Sequence, residues 1–479
     1  MIDSHSPAPH ADDARPLPAP DAETIVAIST PPGRGGVGVV RLSGPQAFTI
    51  ARELFRPAGT RIGTDAPGQA TFGRFVDAGG ETIDHGYLVL FRAPATFTGE
   101  DTAELWAHGS PAVLRLLVVA AVKRGARPAT PGEFTLRAFM NGRIDATQAE
   151  AIRDLIEART AFQAKVAHDQ VQGRISAEVD RLKDHLAGII ARLEASIEFG
   201  EEAEAVRFLP EGGPRPEALA LKTAIETLAV TYERGRRVRD GASVVLIGSP
   251  NVGKSSLFNR LLEEERAIVT PIAGTTRDVL EETLDLGGIP ASLLDTAGLC
   301  EPRDEAGAEA VRRARGALLS ADVLLVVLDW ARELRDDERD LLGGIDQARS
   351  VVVLNKVDLA CRLGLDEAMR LRHRYGVIEV SAKSGQGIEA LRLRLAQAVG
   401  SGAVAEREGI FITNVRHRDL LLRAAAALAR AEEGALRGVT DECLLLDYHE
   451  ALDRLGEITG DVGIDGIYER IFKNFCIGK

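Results

Sequence analysis

The sequence predicts a multidomain chain of mixed α/β and α class: an N-terminal α+β domain, a helical domain formed by two flanking segments, and, inserted between them, a domain with a mostly parallel sheet. Three observations carry this. The chain has 479 residues, more than one hydrophobic core fills. Short β-branched runs alternate with helical stretches from Ser243 to Val380, the pattern of a parallel sheet covered on both faces. Stretches of helical periodicity lie on either side of that region.

Residues 1–21 mix acids with proline and alanine, lack the basic start and apolar stretch of a secretory signal, and read as a disordered tail. Residues 22–140 form the α+β domain, where runs such as Ile25-Val26-Ala27-Ile28 and Val37 to Leu42 are separated by glycine and proline turns. After Asn141-Gly142 this punctuation stops. Asp145 followed by Gln148 has the form of a capped helix start, which opens the first helical segment, 141–240. Within it Ile175, Val179, Leu182, Leu186, Ile189, Leu193 and Ile197 recur at steps of four and three, so one helix face is apolar and must pack on other helices. The inserted domain, 241–400, carries strand-like runs at Ser243 to Ile247, Pro290 to Leu294, Val323 to Leu328, Val351 to Leu354 and Val377 to Val380. Helices resume in 401–479, over Arg418 to Arg437 and Glu442 to Leu455, and the two flanking segments are expected to pack together.

Composition narrows the class. An apolar fraction of 45% and a charged fraction of 27% are ordinary for a soluble globular protein. No run approaches the roughly eighteen apolar residues of a membrane span, so no membrane association is expected. Cys300, Cys361, Cys443 and Cys476 lie far apart with no CxxC pair, which argues against disulfides or structural zinc and for a reducing, cytoplasmic setting. A formal net charge of −13 disfavours non-specific nucleic-acid binding, so an RNA partner must meet a local basic patch or arrive through another protein.

The chemistry is concentrated in the inserted domain. Gly248-Ser249-Pro250-Asn251-Val252-Gly253-Lys254-Ser255 follows a strand and fits the P-loop pattern. Its glycines let backbone N–H groups approach phosphates, Lys254 supplies charge at the β and γ positions, and the Ser255 hydroxyl can ligate Mg²⁺. Gly274-Thr275-Thr276-Arg277-Asp278 follows at switch spacing, with Thr276 placed for Mg²⁺ and the γ-phosphate. Asp295-Thr296-Ala297-Gly298 ends the next strand, where Asp295 can hold the metal's water shell and the Gly298 N–H can meet the γ-phosphate. Asn355-Lys356-Val357-Asp358 sets base identity, because an ionised Asp358 accepts from two donors that guanine has and adenine lacks. Ser381-Ala382-Lys383 completes the set, with the Ala382 N–H available to the guanine oxygen. In this order the motifs specify a GTP-binding and GTP-hydrolysing domain. The expected nucleotide contacts also include Ser256 and the run Thr270-Pro271-Ile272-Ala273.

With these motifs in place, the chain resembles the MnmE (TrmE) family of tRNA uridine-modifying GTPases over nearly its full length after the tail. The resemblance rests on Thr30-Pro31-Pro32-Gly33-Arg34-Gly35-Gly36-Val37-Gly38, Thr98-Gly99-Glu100-Asp101, Pro131-Gly132-Glu133-Phe134, Gln148-Ala149-Glu150-Ala151 and Phe475-Cys476-Ile477-Gly478-Lys479. It implies an N-terminal domain that forms a homodimer and binds a reduced folate, 5-formyl- or methylene-tetrahydrofolate, as one-carbon donor. It also implies an FAD-containing partner protein and modification of tRNA wobble uridine at carbon 5. The family's folate contacts fall on Arg41, Glu104, Arg143 and Lys479; Arg143 stands where the family commonly has Lys. K⁺ in place of an arginine finger is implied at Asn251, Thr270, Ile272 and Thr275.

One departure stands out. Leu299 follows the Asp295 motif where Ras-like proteins carry a water-orienting Gln, and the Glu that the family uses twelve positions after Asp295 is replaced by Gly307. Glu305 is the favoured substitute, with Asp304 and Glu309 as neighbours able to take the role. Cys476 reads either as a nucleophile or as a small apolar residue. Trp106 and His108 alternate on an expected strand, where a lone His is more often structural than catalytic. The run Arg234, Arg236, Arg237 and Arg239 reads either as an RNA contact or as a solvated helix end. The rival to an enzyme of tRNA modification is a GTPase switch acting as a non-catalytic adaptor for RNA or ribosomes.

Overall fold

The computed structural model describes residues 23–59, 67–199, 215–263, 281–295, 321–400, 409–462 and Gly478. Its contacts divide the chain into two compact units, Met1–Ala149 with Gly463–Lys479, and Glu150–Val462.

The first unit is a seven-stranded sheet with helices against it. Its strands are β1 (Ile25–Ile28), β2 (Gly35–Ser43), β3 (Phe55–Pro57), β4 (Thr71–Val76), β5 (Thr82–Phe91), β6 (Thr102–Gly109) and β7 (Arg127–Pro128), in the order β3-β4-β5-β6-β2-β1-β7. All neighbours are antiparallel except β1 with β7. Helices α1 (Ala47–Glu53), α2 (Pro111–Val122) and α3 (Glu133–Met140) accompany it. Alternation decides the faces: Val40, Leu42, Leu88, Leu90, Ala103 and Leu105 enter the core beside Ile50, Leu54 and Leu117, leaving Arg41, Glu104 and Trp106 on the opposite face.

Among the described residues the expected helical segment, 141–240, holds five helices, of which the first three are α4 (Ala146–Glu157), α5 (Ala161–Val171) and α6 (Arg174–Phe199). Asp145 Oδ1 accepts from Gln148 N at 2.9 Å and Gln148 Oε1 from Asp145 N at 2.9 Å, the reciprocal cap read from the sequence. A second capping box, Thr160 with Gln163, starts α5. It restarts the helix where the sequence reading ran straight on. The apolar stripe of α6 is buried from Ile175 to Leu193, with Ile197 half-buried. It packs with α7 (Arg215–Val230), and with two helices from beyond the inserted domain, Val415–Leu436 and Asp441–Thr459. The two flanks therefore share one core. Tyr232 begins α8 (Tyr232–Asp240), which leads to the inserted domain.

The inserted domain has strands β8 (Ala242–Ile247), β9 (Glu281–Leu286), β10 (Ile289–Asp295), β11 (Val323–Asp329), β12 (Ser350–Asn355) and β13 (Ile378–Glu379), in the order β13-β12-β11-β8-β10-β9. Only β9 is antiparallel to its neighbour. This edge strand, Glu-Glu-Thr-Leu-Asp-Leu, was missed from sequence because it buries Leu284 and Leu286 alone, without the continuous apolar run of a central strand. The helices are α9 (Lys254–Glu263), α10 (Asp336–Gly344), α11 (Leu365–Tyr375) and α12 (Ile388–Ala398). The chain then returns to the helical core through α13 (Val415–Leu436) and α14 (Asp441–Thr459). Among the described residues no helix is long and apolar enough to cross a membrane.

Candidate functional site

The loop between β8 and α9 is made by backbone conformations that require glycine. Gly248 has φ +151° and Gly253 φ +94°, and an added Cβ would lie 2.3 Å from Val327 O at the first and 2.4 Å from Asn355 Nδ2 at the second. Asn251, between them, takes φ +66°, a left-handed conformation that asparagine tolerates better than most residues. Val252 is fully buried and anchors the loop in the core of the domain. Lys254 is 7% exposed, and its Nζ donates to Gly248 O at 2.8 Å and Ser249 O at 2.9 Å. Ser255 and Ser256 stand exposed in the first turn of α9, at the end of a helix whose free N–H groups favour anions.

The base-reading residues lie at the end of β12 and just beyond β13. Asp358 is exposed, and its Oδ1 accepts from Ser381 Oγ at 2.7 Å. That hydrogen bond is the main reason its carboxyl sits below the usual aspartate value. The exposed carboxylate is therefore ionised and acceptor-only, as base recognition requires. Lys356, at φ +70°, donates from Nζ to Asn251 O at 2.7 Å and Asp329 Oδ2 at 2.6 Å, joining this loop to the phosphate loop. Lys383 is exposed beside it.

Asn355, at the end of β12, links the two loops. It is 1% exposed, donates from Nδ2 to Val252 O at 2.9 Å and accepts on Oδ1 from Ala382 N at 3.1 Å. It is a brace between the two loops, and the Ala382 N–H expected at the guanine oxygen is donated to Asn355. Arg260 of α9 pins the same segment, Nε to Ala382 O at 3.2 Å and Nη2 to Lys383 O at 2.8 Å. Sequence reasoning missed Arg260 and Asp329. Neither lies in a short motif, and only the fold brings them to the site.

Of the remaining candidates in this domain, Asp295 closes β10. Thr270, Pro271, Ile272, Ala273, Gly274, Thr275, Thr276, Thr296, Ala297, Gly298, Glu305 and Gly307 lie outside the described residues. Cys476 and Lys479 do so as well. Among the described residues, no group of His, Cys, Asp and Glu could by itself hold a metal.

In the first unit Arg41 and Glu104 are direct cross-strand partners. Arg41 Nε and Nη2 both donate to Glu104 Oε1, at 3.0 and 2.8 Å, and Trp106 Nε1 donates to Oε2 at 2.9 Å. The Arg41 guanidinium lies 5.9 Å from the ring centroid of Phe134. Gly478 packs at the end of β1: Ser29 Oγ donates to Gly478 O at 3.2 Å, and an added Cβ on Gly478 would meet Ile28 O at 2.1 Å. Ala27, one residue before Ile28, pairs with Arg41, so the residue preceding Lys479 is held close to the Arg41 row. Arg143 is exposed and packs its Cγ by Gly99, where an added Cβ would be 3.3 Å away. Thr98 and Glu100 of the same loop bond Ser43 and, through Glu100, the buried Arg137. His108 is exposed, and its Nδ1 lies 2.9 Å from Asp84 Oδ1.

The arginines of α8 are half-buried and held by partners within the protein. Arg236 pairs with Asp322 at 2.8 Å, Arg239 with Asp154 at 2.9 Å, and Arg237 Nη1 donates to Val399 O at 3.4 Å. Arg234 lies over the Phe411 ring at 5.1 Å. Next to Asp154, Glu150 of α4 meets Arg416 at 2.9 Å and His417 at 2.7 Å. Burial works against the Glu150 carboxylate, but His417 and Arg416 outweigh it and bring the group down to about 2. Arg416 decides this direction because its charge does not titrate, while burial pushes the His417 imidazole down. Asp154 goes the other way: burial outweighs Arg239 and pushes its carboxyl up to about 6.

Comparison with known proteins agrees with this geometry. The family profile described as "GTP-binding protein TrmE N-terminus" matches residues 24–143, and "MnmE helical domain" matches 147–476. A protein named tRNA modification GTPase MnmE from Roseiflexus sp. (strain RS-1) is 41% identical over 95% of this chain and 99% of its own length. Proteins of the same name from Koribacter versatilis (strain Ellin345) and Natranaerobius thermophilus are 42% and 40% identical, each over 95% of this chain and 99% of its own. With that coverage at both ends, and a nucleotide loop formed as its motifs require, the chain belongs to the MnmE family of tRNA modification GTPases.

Proposed function

We propose that this GTPase works in C5 modification of tRNA wobble uridine, as a homodimer with an FAD-containing partner and a reduced folate, 5-formyl- or methylene-tetrahydrofolate, as one-carbon donor. Its parts are a folate-binding and dimerisation domain at 22–140, a helical domain from 141–240 and 401–479, and the GTPase at 241–400. Its place in this reading is the cytoplasm, where the widely spaced cysteines suit a reducing setting. The observation that carries the reading is the loop whose Gly248 and Gly253 have no space for a Cβ, joined through Asn355 to the Ser381-Ala382-Lys383 loop. Such a loop presents backbone N–H groups to phosphates while Asp358 reads the base.

The residues fit the groups the reaction needs. Lys254, held at the loop by two carbonyls, has its charge where β- and γ-phosphates would lie, and it exchanges those carbonyls for phosphate oxygens. Bound Mg²⁺, held by Ser255 and Thr276, would neutralise charge on the phosphate oxygens. Asn251, exposed in the loop, suits the K⁺ reading with Thr270, Ile272 and Thr275. Glu305 positions the attacking water. In the first unit Glu104 keeps acceptor lone pairs beyond those used by Arg41 and Trp106, suited to the amino-pyrimidine edge of a pterin, with Arg41, Arg143 and Lys479 as donors.

The test is mass spectrometry of wobble nucleosides from cells lacking this protein. Loss of the C5 substituent is expected. Unchanged modification would leave the GTPase as a non-catalytic adaptor for RNA or ribosomes.

A further inference from the structure

The hairpin β9–β10 sits between the two halves of the nucleotide machinery and the helical domain. Its strands pair over six residues, with Leu286 opposite Ile289, so Gly287 and Gly288 form a two-residue turn. Their φ angles of +64° and +97° are those of a tight hairpin turn that only glycine enters freely. Asp285 Oδ1 accepts from Gly288 N at 2.5 Å and fixes the turn from within.

Helix α5 grips this turn from the helical domain. Thr160 Oγ1 donates to Gly288 O at 2.5 Å and accepts from Gln163 N at 3.1 Å, so one hydroxyl both caps α5 and holds the hairpin. An added Cβ on Gly288 would meet Phe162 Cβ at 2.7 Å, which makes glycine a condition of the contact. Phe162 and Val166 continue from there into the core of the GTPase domain. Arg159 Nη1 reaches Thr283 Oγ1 on β9 at 3.3 Å. Gln163 Nε2 donates to Arg239 O at 2.9 Å, at the end of the helix that enters the P-loop strand.

The far ends of the same hairpin lead to the chemistry. β10 ends at Asp295, the first residue of the Asp-Thr-Ala-Gly motif, in register with Leu246 of β8. β9 is entered from the segment that carries Thr276. A ribbon of six paired positions spans roughly 20 Å at about 3.3 Å per residue, and β10 joins it to β8, the strand that leads into the P-loop. Beside the grip lies a cavity of about 250 Å³ lined by Asp154, Arg159, Gln163, Arg239, Thr283 and Ser292. The contact thus combines close packing at Phe162 and Val166 with open space on the side of Arg159 and Thr283.

We propose that α5 is a positioning clamp for GTP hydrolysis: Thr160, with Arg159 and Phe162, sets the position of the β9–β10 hairpin and so couples the helical domain to the nucleotide state. This rests on the reading of Gly248 to Ser256 as the GTP site. None of the clamp residues touches the nucleotide loop. They act through Asp295, at the other end of β10. Because coupling is reciprocal, a nucleotide that moves the hairpin must strain or relax the grip at Gly288, and through it the helical domain.

The experiment uses the full chain and three substitutions. Thr160→Asp keeps a good helix cap but replaces the donor at Gly288 O with a carboxylate, Arg159→Ala removes an exposed contact, and Thr160→Ser restores both bonds. GDP and a non-hydrolysable GTP analogue are titrated by fluorescence, and GTP turnover is resolved into kcat and KM. For Thr160→Asp the ratio of the two affinities and kcat should each change by about two- to tenfold, the span set by loss of one hydrogen bond. Arg159→Ala should change them in the same direction by less, and Thr160→Ser should match the unsubstituted chain. Unchanged ratio and kcat in both Thr160→Asp and Arg159→Ala overturns the clamp. A change in melting temperature without either change overturns it as well, because that is what a purely structural contact would give. If the unsubstituted chain binds neither nucleotide, the site reading itself has failed, a result distinct from a failed clamp.

Discussion

The phosphate loop and the charged junction of α4, α8 and α13 are both polar, but they are built from different parts of the chain. In the loop the backbone carries the geometry, through positive φ at Gly248, Asn251 and Gly253 and space that admits no Cβ. In the junction side chains carry it: Glu150 with Arg416 and His417, and Asp154 with Arg239. Backbone geometry is insensitive to pH and intolerant of added atoms. Paired charges tolerate small changes of shape and are intolerant of losing one partner.

The largest effect should come from breaking the junction. Glu150→Ala leaves Arg416 and His417 without their carboxylate and should cost about 3 kcal/mol of stability. Chemical denaturation checks this, and a loss under about 1 kcal/mol would show that the pair is not held as buried charges are. Next is the side chain that reads the base. Asp358→Asn swaps an acceptor for a donor and should weaken GTP binding about a hundredfold while favouring xanthosine nucleotides. Unchanged guanine preference in a competition titration would remove Asp358 from that role.

Gly253→Ala puts a Cβ 2.4 Å from Asn355 Nδ2 at φ +94° and should weaken nucleotide binding about thirtyfold, from strain of about 2 kcal/mol. A nucleotide titration with wild-type affinity would show that the brace at Asn355 yields. The smallest effect sharpens the contrast in pH response. A carboxyl raised to about 6 adds stability below its unfolded value of 3.8 and loses it as pH rises through about 6. Asp154→Asn removes this dependence, so relative to the unsubstituted chain it should gain about 1 to 1.5 kcal/mol between pH 5 and pH 7.5. Melting curves at the two pH values test the sign. The same pH change should leave the loop substitution's effect on stability unaltered.

The same contrast explains what the sequence disclosed. The phosphate loop is legible because one contiguous run, Gly248 to Ser255, contains every residue its backbone geometry needs. The central strands were legible for a similar reason, each being a short apolar run. The brace formed by Asn355, the anchoring of Arg236 and Arg239, and the grip of Thr160 on Gly288 depend on partners 27 to 128 positions away, which no local pattern encodes. The edge strand β9 has too few apolar residues to signal itself. Arg41 and Glu104 are direct neighbours across two strands yet 63 positions apart in sequence, and only the resemblance to a family brought them together beforehand.

The shared core of the two flanking segments has a consequence for synthesis. Ile175 to Tyr232 emerge from the ribosome first, and their partners Ile412 to Ile458 about 180 residues later. At roughly 5–20 residues per second, the apolar faces of α6 and α7 wait about 10 to 40 seconds without the surface that covers them, while the intervening domain can already fold. Nascent chains stalled between Gly400 and Val415 should therefore be a point of high demand for chaperones, with a complete nucleotide domain carried above an unfinished bundle.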